Sequence, residues 1–187
     1  MSNILVVAAT DRELCGADGL VCGVGPVEAA VATASALALR PYAAVLHVGL
    51  AGARWLDTGT LVVGTDAVYC DLSAEWPVVD RVAADATLVE AVRAALPAVP
   101  ALPIHTSAAV GGTRDDRPEE PLVEAMEGFG VLRAAERAGV PAVELRAISN
   151  ALGEPDRTRW DLDGALEALE QAMPTLLEAV EARARGS

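Results

Sequence analysis

Aromatic side chains, histidines and basic residues are all scarce in this chain, and each scarcity removes a class of function. Phe, Trp and Tyr supply 3 % of 187 residues, although hydrophobic residues supply 52 %, so the core must be built from Val, Leu and Ala. Fourteen basic residues face 27 acidic ones, a formal charge of −13. Overall repulsion of phosphates argues against nucleic acid or an anionic membrane as partner, but does not forbid a small anion held by a few local arginines. Two distant histidines and three cysteines (Cys15, Cys22, Cys70), none in a CxxC spacing, argue against a metal centre. The odd cysteine count reads as reduced, packed thiols in a cytoplasmic protein. No apolar run approaches the roughly 20 residues of a membrane span. The start, Met1-Ser-Asn-Ile-Leu-Val-Val7, has no basic segment and turns polar at Thr10-Asp-Arg12, so it reads as a first strand and not a signal peptide.

What is present is alternation. Short Val/Ala/Leu runs alternate with longer Ala-rich stretches, the pattern of an α/β chain around a largely buried sheet, and the length suits a single domain over residues 1–187. Strands are expected at Ile4–Ala9, Leu20–Val24, Ala44–Val48, Thr60–Tyr69, Pro103–Val110 and Ala142–Ile148. Helices are expected at Pro26–Leu39, Thr87–Ala95, Gly128–Ala138 and Asp161–Ala184. Pro26 suits a first helical position, where its missing N–H costs nothing. Gly139-Val-Pro141 closes the third helix, with Gly as a left-handed cap. In the last helix Leu162, Ala165, Leu166, Leu169, Met173, Leu176 and Leu177 form one apolar stripe, Asp161 is a plausible N-cap, and Pro174 predicts a kink or a break. The polar stretch Gly111–Pro121 is expected to be a mobile loop.

Four segments put polar residues or glycines at strand ends or turns, where α/β proteins build sites. Ala9-Thr-Asp-Arg-Glu13 follows the first strand; a solvated turn explains Glu13 as readily as function does. Gly23-Val-Gly-Pro26 lacks the third glycine of a dinucleotide fingerprint and is better read as tight packing. Gly49-Leu-Ala-Gly52 lets a ligand approach the backbone at Leu50, Ala51 and Gly52, although a plain tight turn fits nearly as well. Finally, Glu127 lies beside a helix N-terminus, where electrostatics alone favour a carboxylate, and Asn150 follows a strand, where a turn role is the ordinary one. Composition and spacing name no reaction.

Taken together the segments resemble the purine nucleoside phosphorylase and nucleosidase superfamily, and within it the futalosine hydrolases of menaquinone biosynthesis. The resemblance rests on Val6-Val-Ala-Ala-Thr10 with Glu13, Gly25-Pro26 with Ala29-Ala30, Val48-Gly-Leu-Ala-Gly52 and Gly59-Thr-Leu-Val-Val63. It continues through Gly112-Thr113, Glu124-Ala-Met-Glu-Gly128, Arg146-Ala-Ile-Ser-Asn150, Gly153, Asp156-Arg157 and Trp160-Asp161. The Met-Glu-Gly and Arg-x-Ile-Ser-Asn pair is the specific part. The resemblance implies a three-layer α/β/α fold with a central mixed, twisted sheet. It implies Glu13 as the carboxylate that activates water, Glu127 as the partner of the ribose hydroxyls, Met126 against the sugar, Asn150 at the base and Val110 facing it through its backbone. It implies no cofactor or metal, a small-molecule purine nucleoside as substrate, and a homo-oligomer in which a neighbour completes the 5′ side of the site.

Two details discriminate within that family. An amide at Asn150 can donate to O6 of hypoxanthine and accept from a protonated N7, whereas an aspartate suits the exocyclic amine of adenine. His47 and Leu50 stand where phosphorylases place Arg and Ser, so phosphate loses charge-assisted bonds and water is favoured as nucleophile. The resemblance aligns Ala109 with the aromatic that stacks on adenine in related nucleosidases, leaving Trp76 or Trp160 as candidates for that contact or for the core. Arg157, Arg159 and Arg54 are candidates for the benzoate end of futalosine, with Arg157 preferred. The alternatives are a nucleosidase or phosphorylase acting on another purine nucleoside such as inosine, and a non-catalytic nucleoside-binding protein on the same fold.

Overall fold

The computed structural model describes residues 3–112 and 122–186. The expected mobile loop Gly111–Pro121 therefore falls, beyond its two glycines, outside the described residues, as does Thr113 of the Gly-Thr pair. Eight strands are present among the described residues: β1 (Ile4–Ala8), β2 (Leu20–Val21), β3 (Ala44–Arg54), β4 (Leu61–Tyr69), β5 (Arg81–Ala83), β6 (Ala101–Thr106), β7 (Leu122–Ala125) and β8 (Ala142–Ala151). The helices are α1 (Pro26–Leu39), α2 (Ala86–Ala95), α3 (Gly128–Ala138) and α4 (Leu162–Arg185).

The strands form one mixed, eight-stranded sheet. Long β3 pairs in parallel with β1 and β8, and its far end pairs antiparallel with β7. β8 also pairs antiparallel with β4, β4 runs parallel to β6, and β6 runs parallel to β7. The strands β3, β8, β4, β6 and β7 thus close a ring, filled by Ala51, Ala53, Val62, Ile104, Val123, Ala125 and Ile148. Alanine and β-branched residues suffice because a five-stranded closure leaves little interior room.

Alternation along β1 sorts the two outer layers. Ile4, Val6 and Ala8 face α2 and α4, meeting Leu88, Val92, Leu169, Met173 and Leu176. Leu5 and Val7 face α1 and α3, meeting Ala29, Val131, Leu132 and Ala135. The expected three-layer α/β/α architecture is therefore present, with the helices segregated by pairs.

Helix ends follow local chemistry. Asp85 accepts from the N–H groups of Thr87 and Leu88 at 3.0 Å each, and Asp161 accepts from Gly164 N at 3.0 Å. Gly139 closes α3 in the left-handed conformation (φ 69°). Helix α4 runs unbroken through Pro174, so no break occurs there. Pro174 and Glu170, the residue whose carbonyl it leaves unbonded, are both exposed, and the stripe Ala165, Leu169, Met173, Leu176, Val180 stays buried across the position. The lost hydrogen bond falls on the solvent-facing side, where it costs least, while packing holds the helix.

Other boundaries shift for physical reasons. β2 ends at Val21 because Gly23 and Gly25 have positive φ (83° and 100°) and turn the chain into α1. β6 ends at Thr106, where the Ser107 hydroxyl donates to the Ala109 carbonyl at 2.8 Å and tightens a turn. Gly49-Leu-Ala-Gly52 is no turn but the interior of β3. Helices α1 and α3 touch where Gly130 meets the backbone of Pro26 and Ala30, leaving no room for a Cβ. A Gly130→Ala substitution is expected to push the two helices apart and cost about 1–3 kcal/mol, read by denaturant unfolding.

Candidate active site

Because β1, β3 and β8 run parallel, their C-terminal ends open on the same edge of the sheet, and a cavity of about 340 Å³ lies there. Glu13, Leu50, Ala51, Gly52, Val110, Met126, Glu127 and Asn150 all line it, together with Thr10, Arg12, Glu124, Ser149 and Trp160. Arg157 does not. Its guanidinium lies 5.6 Å from the ring centroid of Trp160, outside the lining. Arg159 and Arg54 are also away from the cavity, and Trp76 is an exposed side chain, neither core nor lining.

Glu13 sits on a short 3-10 turn, Arg12–Leu14, directly after β1, and is 8 % exposed. Its Oε2 accepts from Thr10 N at 3.0 Å and Thr10 Oγ1 at 2.7 Å; its Oε1 accepts from Leu50 N at 3.0 Å. A carboxylate has about four acceptor positions, so three anchors leave roughly one to meet a water in the cavity. Gly49 makes room for this: an added Cβ would stand 2.7 Å from Glu13 Oε1 and collide with Arg146 Nη1.

Glu127 occupies the N-cap position of α3 but makes no side-chain bond to its own helix. Instead its Oε1 accepts from Gly25 N, the N-cap of α1, at 3.1 Å. The two helices' N-termini thus converge near one carboxylate, which both favour. Thr106 Oγ1 takes over at α3, accepting from Phe129 N at 2.8 Å. Glu124, on β7, accepts from Gly111 N at 2.6 Å.

Behind these acids lies a residue to which sequence reasoning attached no role, Arg146, fully buried on β8. Its Nε donates to Glu144 Oε1 at 2.7 Å, its Nη2 stands 3.5 Å from Glu127 Oε2, and its Nη2 also donates to His47 Nε2. The His47 Nδ1–H donates to Val7 O at 2.9 Å, which fixes the tautomer. Burial would push Arg146 down, but Glu144, Glu127 and Glu13 hold it above its ordinary value. Burial, then the Arg146 charge, holds His47 well below the ordinary 6.5, so the ring is neutral. Burial lifts Glu144 against the pull of Arg146. Burial, helped by Glu127, also pushes the Cys22 thiol up to about 11, so it is no nucleophile near neutrality. The signal for this cluster was available as two polar residues, Glu144 and Arg146, at alternate positions of an otherwise apolar strand.

Asn150 is aimed by an irregularity. Along the β3–β8 pairing Ala51 matches Ile148, but Gly52 matches Asn150, so Ser149 is the extra residue of a bulge. Asn150 Nδ2 donates to Ala151 O at 2.9 Å, and Oδ1 accepts from Ser149 Oγ at 2.8 Å. Those bonds orient the amide and leave one N–H and one lone pair for a ligand. Gly52 leaves space beside it, since a Cβ there would come within 2.8 Å of Nδ2.

A sequence profile of the phosphorylase superfamily matches residues 19–183. Futalosine hydrolase of Streptomyces coelicolor is 40 % identical over 189 residues, covering 89 % of this chain and 80 % of that protein. This chain belongs to the phosphorylase superfamily, in its futalosine hydrolase family. Futalosine hydrolase of Acidothermus cellulolyticus is 38 % identical, covering 90 % of this chain and 78 % of that protein. The fold is shared more widely. A 5′-methylthioadenosine/S-adenosylhomocysteine nucleosidase from Helicobacter pylori superposes with a TM-score of 0.83 at 18 % identity, covering 95 % of this chain and 98 % of that one. Architecture alone therefore does not separate members of the superfamily, and substrate choice must lie in side chains.

The neutral His47 has a measurable consequence. Its pKa is lowered on folding, so the unfolded state binds the extra proton, and the resulting stability is present above about 6.5 and lost as pH falls below it. Replacing it, His47→Gln, is expected to flatten the acid-side slope by up to about 1.4 kcal/mol per pH unit. Denaturant titrations of both proteins between pH 5 and about 7.5 measure that difference, in the window just below the unfolded value.

Proposed function

We propose that this protein hydrolyses the N-glycosidic bond of futalosine, releasing hypoxanthine and dehypoxanthine futalosine in menaquinone biosynthesis, with no metal or cofactor. The observation that carries the reading is the convergence of Glu13, Glu127 and an oriented Asn150 amide on one cavity. Breaking the bond builds positive charge on the ribose and negative charge on the leaving purine. Glu13 takes a proton from water as the water oxygen attacks the anomeric carbon. The bond to the purine breaks with its electron pair on the base, which takes up a proton from solvent at N7. Glu127 binds the ribose hydroxyls with Met126 against the sugar, while Asn150 donates to O6 and accepts from N7–H. Val110, Leu50, Ala51 and Gly52 shape the walls.

Three features support water over phosphate. The acids Glu13, Glu124 and Glu127 line the cavity against one cation, Arg12, among the described residues. Such a field favours a ribosyl cation and repels a dianion. His47 is neutral and bonded through both nitrogens, and Arg146 has its charge matched by Glu144 and Glu127.

The reading extends to one nucleosidase domain acting in the cytoplasm as a homo-oligomer. Support for the assembly comes from Val24, Val27 and Val31, which are 57–68 % exposed and run from the cavity wall along α1. A second copy covering them would shield the 5′ side of the substrate.

Incubation with futalosine, inosine and methylthioadenosine, with and without phosphate, is the direct test. Phosphate-independent release of hypoxanthine from futalosine is expected; release that requires phosphate, or none from any nucleoside, overturns the reading. Glu13→Gln should lower kcat by about 10²–10⁴ while hypoxanthine still binds. Asn150→Asp would set a carboxylate against the Ala151 carbonyl and against O6. It should move competition between futalosine and methylthioadenosine toward the 6-amino purine by about tenfold to a hundredfold.

A further inference from the structure

The cavity is not uniform in polarity. Its inner part is acidic and hydrogen-bonding, whereas the wall contributed by Trp160, Leu162 and Leu166 is apolar. Leu162 and Leu166 stand one helical turn apart at the start of α4 and so share a face. Beside them, on the 3-10 turn after β1, Arg12 is the only cationic side chain among the described residues lining the cavity. Its Nη2 donates to Asp163 Oδ1 at 2.6 Å, on the same first turn of α4.

We propose that Arg12, with the Trp160–Leu162–Leu166 wall, forms a subsite for an aromatic carboxylate, and that this subsite selects the acidic 5′ extension of the substrate. The inference rests on the reading above, because futalosine carries a benzoate at that end. An apolar wall beside a guanidinium matches a ring that ends in a carboxylate: the wall buries the ring, and the fork takes the two oxygens. Asp163 does not pre-empt the site. The pair is exposed on both sides (64 % and 90 %), where such pairs contribute little, and a guanidinium with five donors has several left for a ligand. What Asp163 does supply is position, holding Arg12 against α4 where the apolar wall begins. Arg157 is the contrast: its charge lies over Trp160 but outside the lining.

Dehypoxanthine futalosine tests the subsite without turnover, because it keeps the carboxylate and has no glycosidic bond to the base. Calorimetric titration of the intact protein with this acid and with its methyl ester is expected to show the acid bound about tenfold or more tightly. Arg12→Gln should erase that preference and Arg12→Lys restore part of it, with hypoxanthine affinity unchanged in both, which reports an intact fold and an intact Asn150 end of the cavity. Arg157→Gln should keep the preference. Equal binding of acid and ester by the native protein, or a preference lost in Arg157→Gln and kept in Arg12→Gln, overturns the proposal. Hypoxanthine release from futalosine is followed separately. Its absence alongside an Arg12-dependent acid preference would remove the hydrolase reading and leave the aryl-carboxylate subsite standing.

Discussion

The fully buried guanidinium of Arg146 is the constraint around which the site is arranged. A cation taken out of water is costly unless its partners are close and well oriented, and here Glu144, Glu127 and His47 surround it. Each partner comes from a different place: Glu144 from the same strand, Glu127 from the start of α3, His47 from β3. Moving any of these elements would leave a charge or a polar nitrogen unpaired in the interior. The cluster therefore acts less as a source of stability than as a register for three elements, and it places Glu127 where β8 and α3 meet. The same guanidinium explains Gly49, since any side chain on β3 at that point would collide with it.

Closure of the strand ring has a comparable consequence at the Asn150 end of the cavity. β3 pairs with β8 along its length, with β1 at its beginning and with β7 at its end, so it runs to Arg54 and carries Leu50–Gly52 into the cavity wall as strand, with its backbone N–H groups directed by pairing. Leu50 N is thereby available to Glu13. The bulge at Ser149 sets Asn150 opposite Gly52, with the Ser149 hydroxyl bonded to its side-chain oxygen. An amide whose two ends are held by a hydroxyl and a carbonyl cannot rotate freely, and on the proposed reading that is what lets it read a purine.

Much of this was legible in advance where a local rule decides. Pro26 at a first helical position, Gly139 as a left-handed cap and Asp161 as an N-cap located helix ends to within a residue, because each acts through its own backbone. Glu13, Glu127 and Asn150 were marked by motif, and they line one cavity. Features set by tertiary pairing were not legible. β5 is three residues long and β7 four, too short for any period to show, and both exist because a neighbouring strand lacks a partner. Gly49–Gly52 fitted close ligand approach and a plain tight turn almost equally, because glycine is rare inside strands, whereas here its smallness admits Arg146 and Asn150. Arg12 carried no motif to mark it, while Arg157 drew attention through its motif; the position of α4 puts the first, and not the second, in the cavity lining.

The charges along the cavity then run in an order that matches one kind of molecule. A neutral, oriented amide stands at one end, carboxylates crowd the middle, and Arg12, the one lining cation among the described residues, stands beside an apolar wall. On the proposed reading these meet a 6-oxopurine, a ribose that becomes positive in the transition state, and an aryl carboxylate. The sequence of polarities matters more than any one contact. A phosphate in the middle would face three carboxylates, and an adenine base would put its amine against the amide N–H. A neutral 5′ substituent would leave Arg12 to Asp163 and water. Each mismatch removes only one or two hydrogen bonds, but in a partly closed cavity each leaves a polar group poorly solvated. The separate penalties accumulate into discrimination that a shared fold cannot provide.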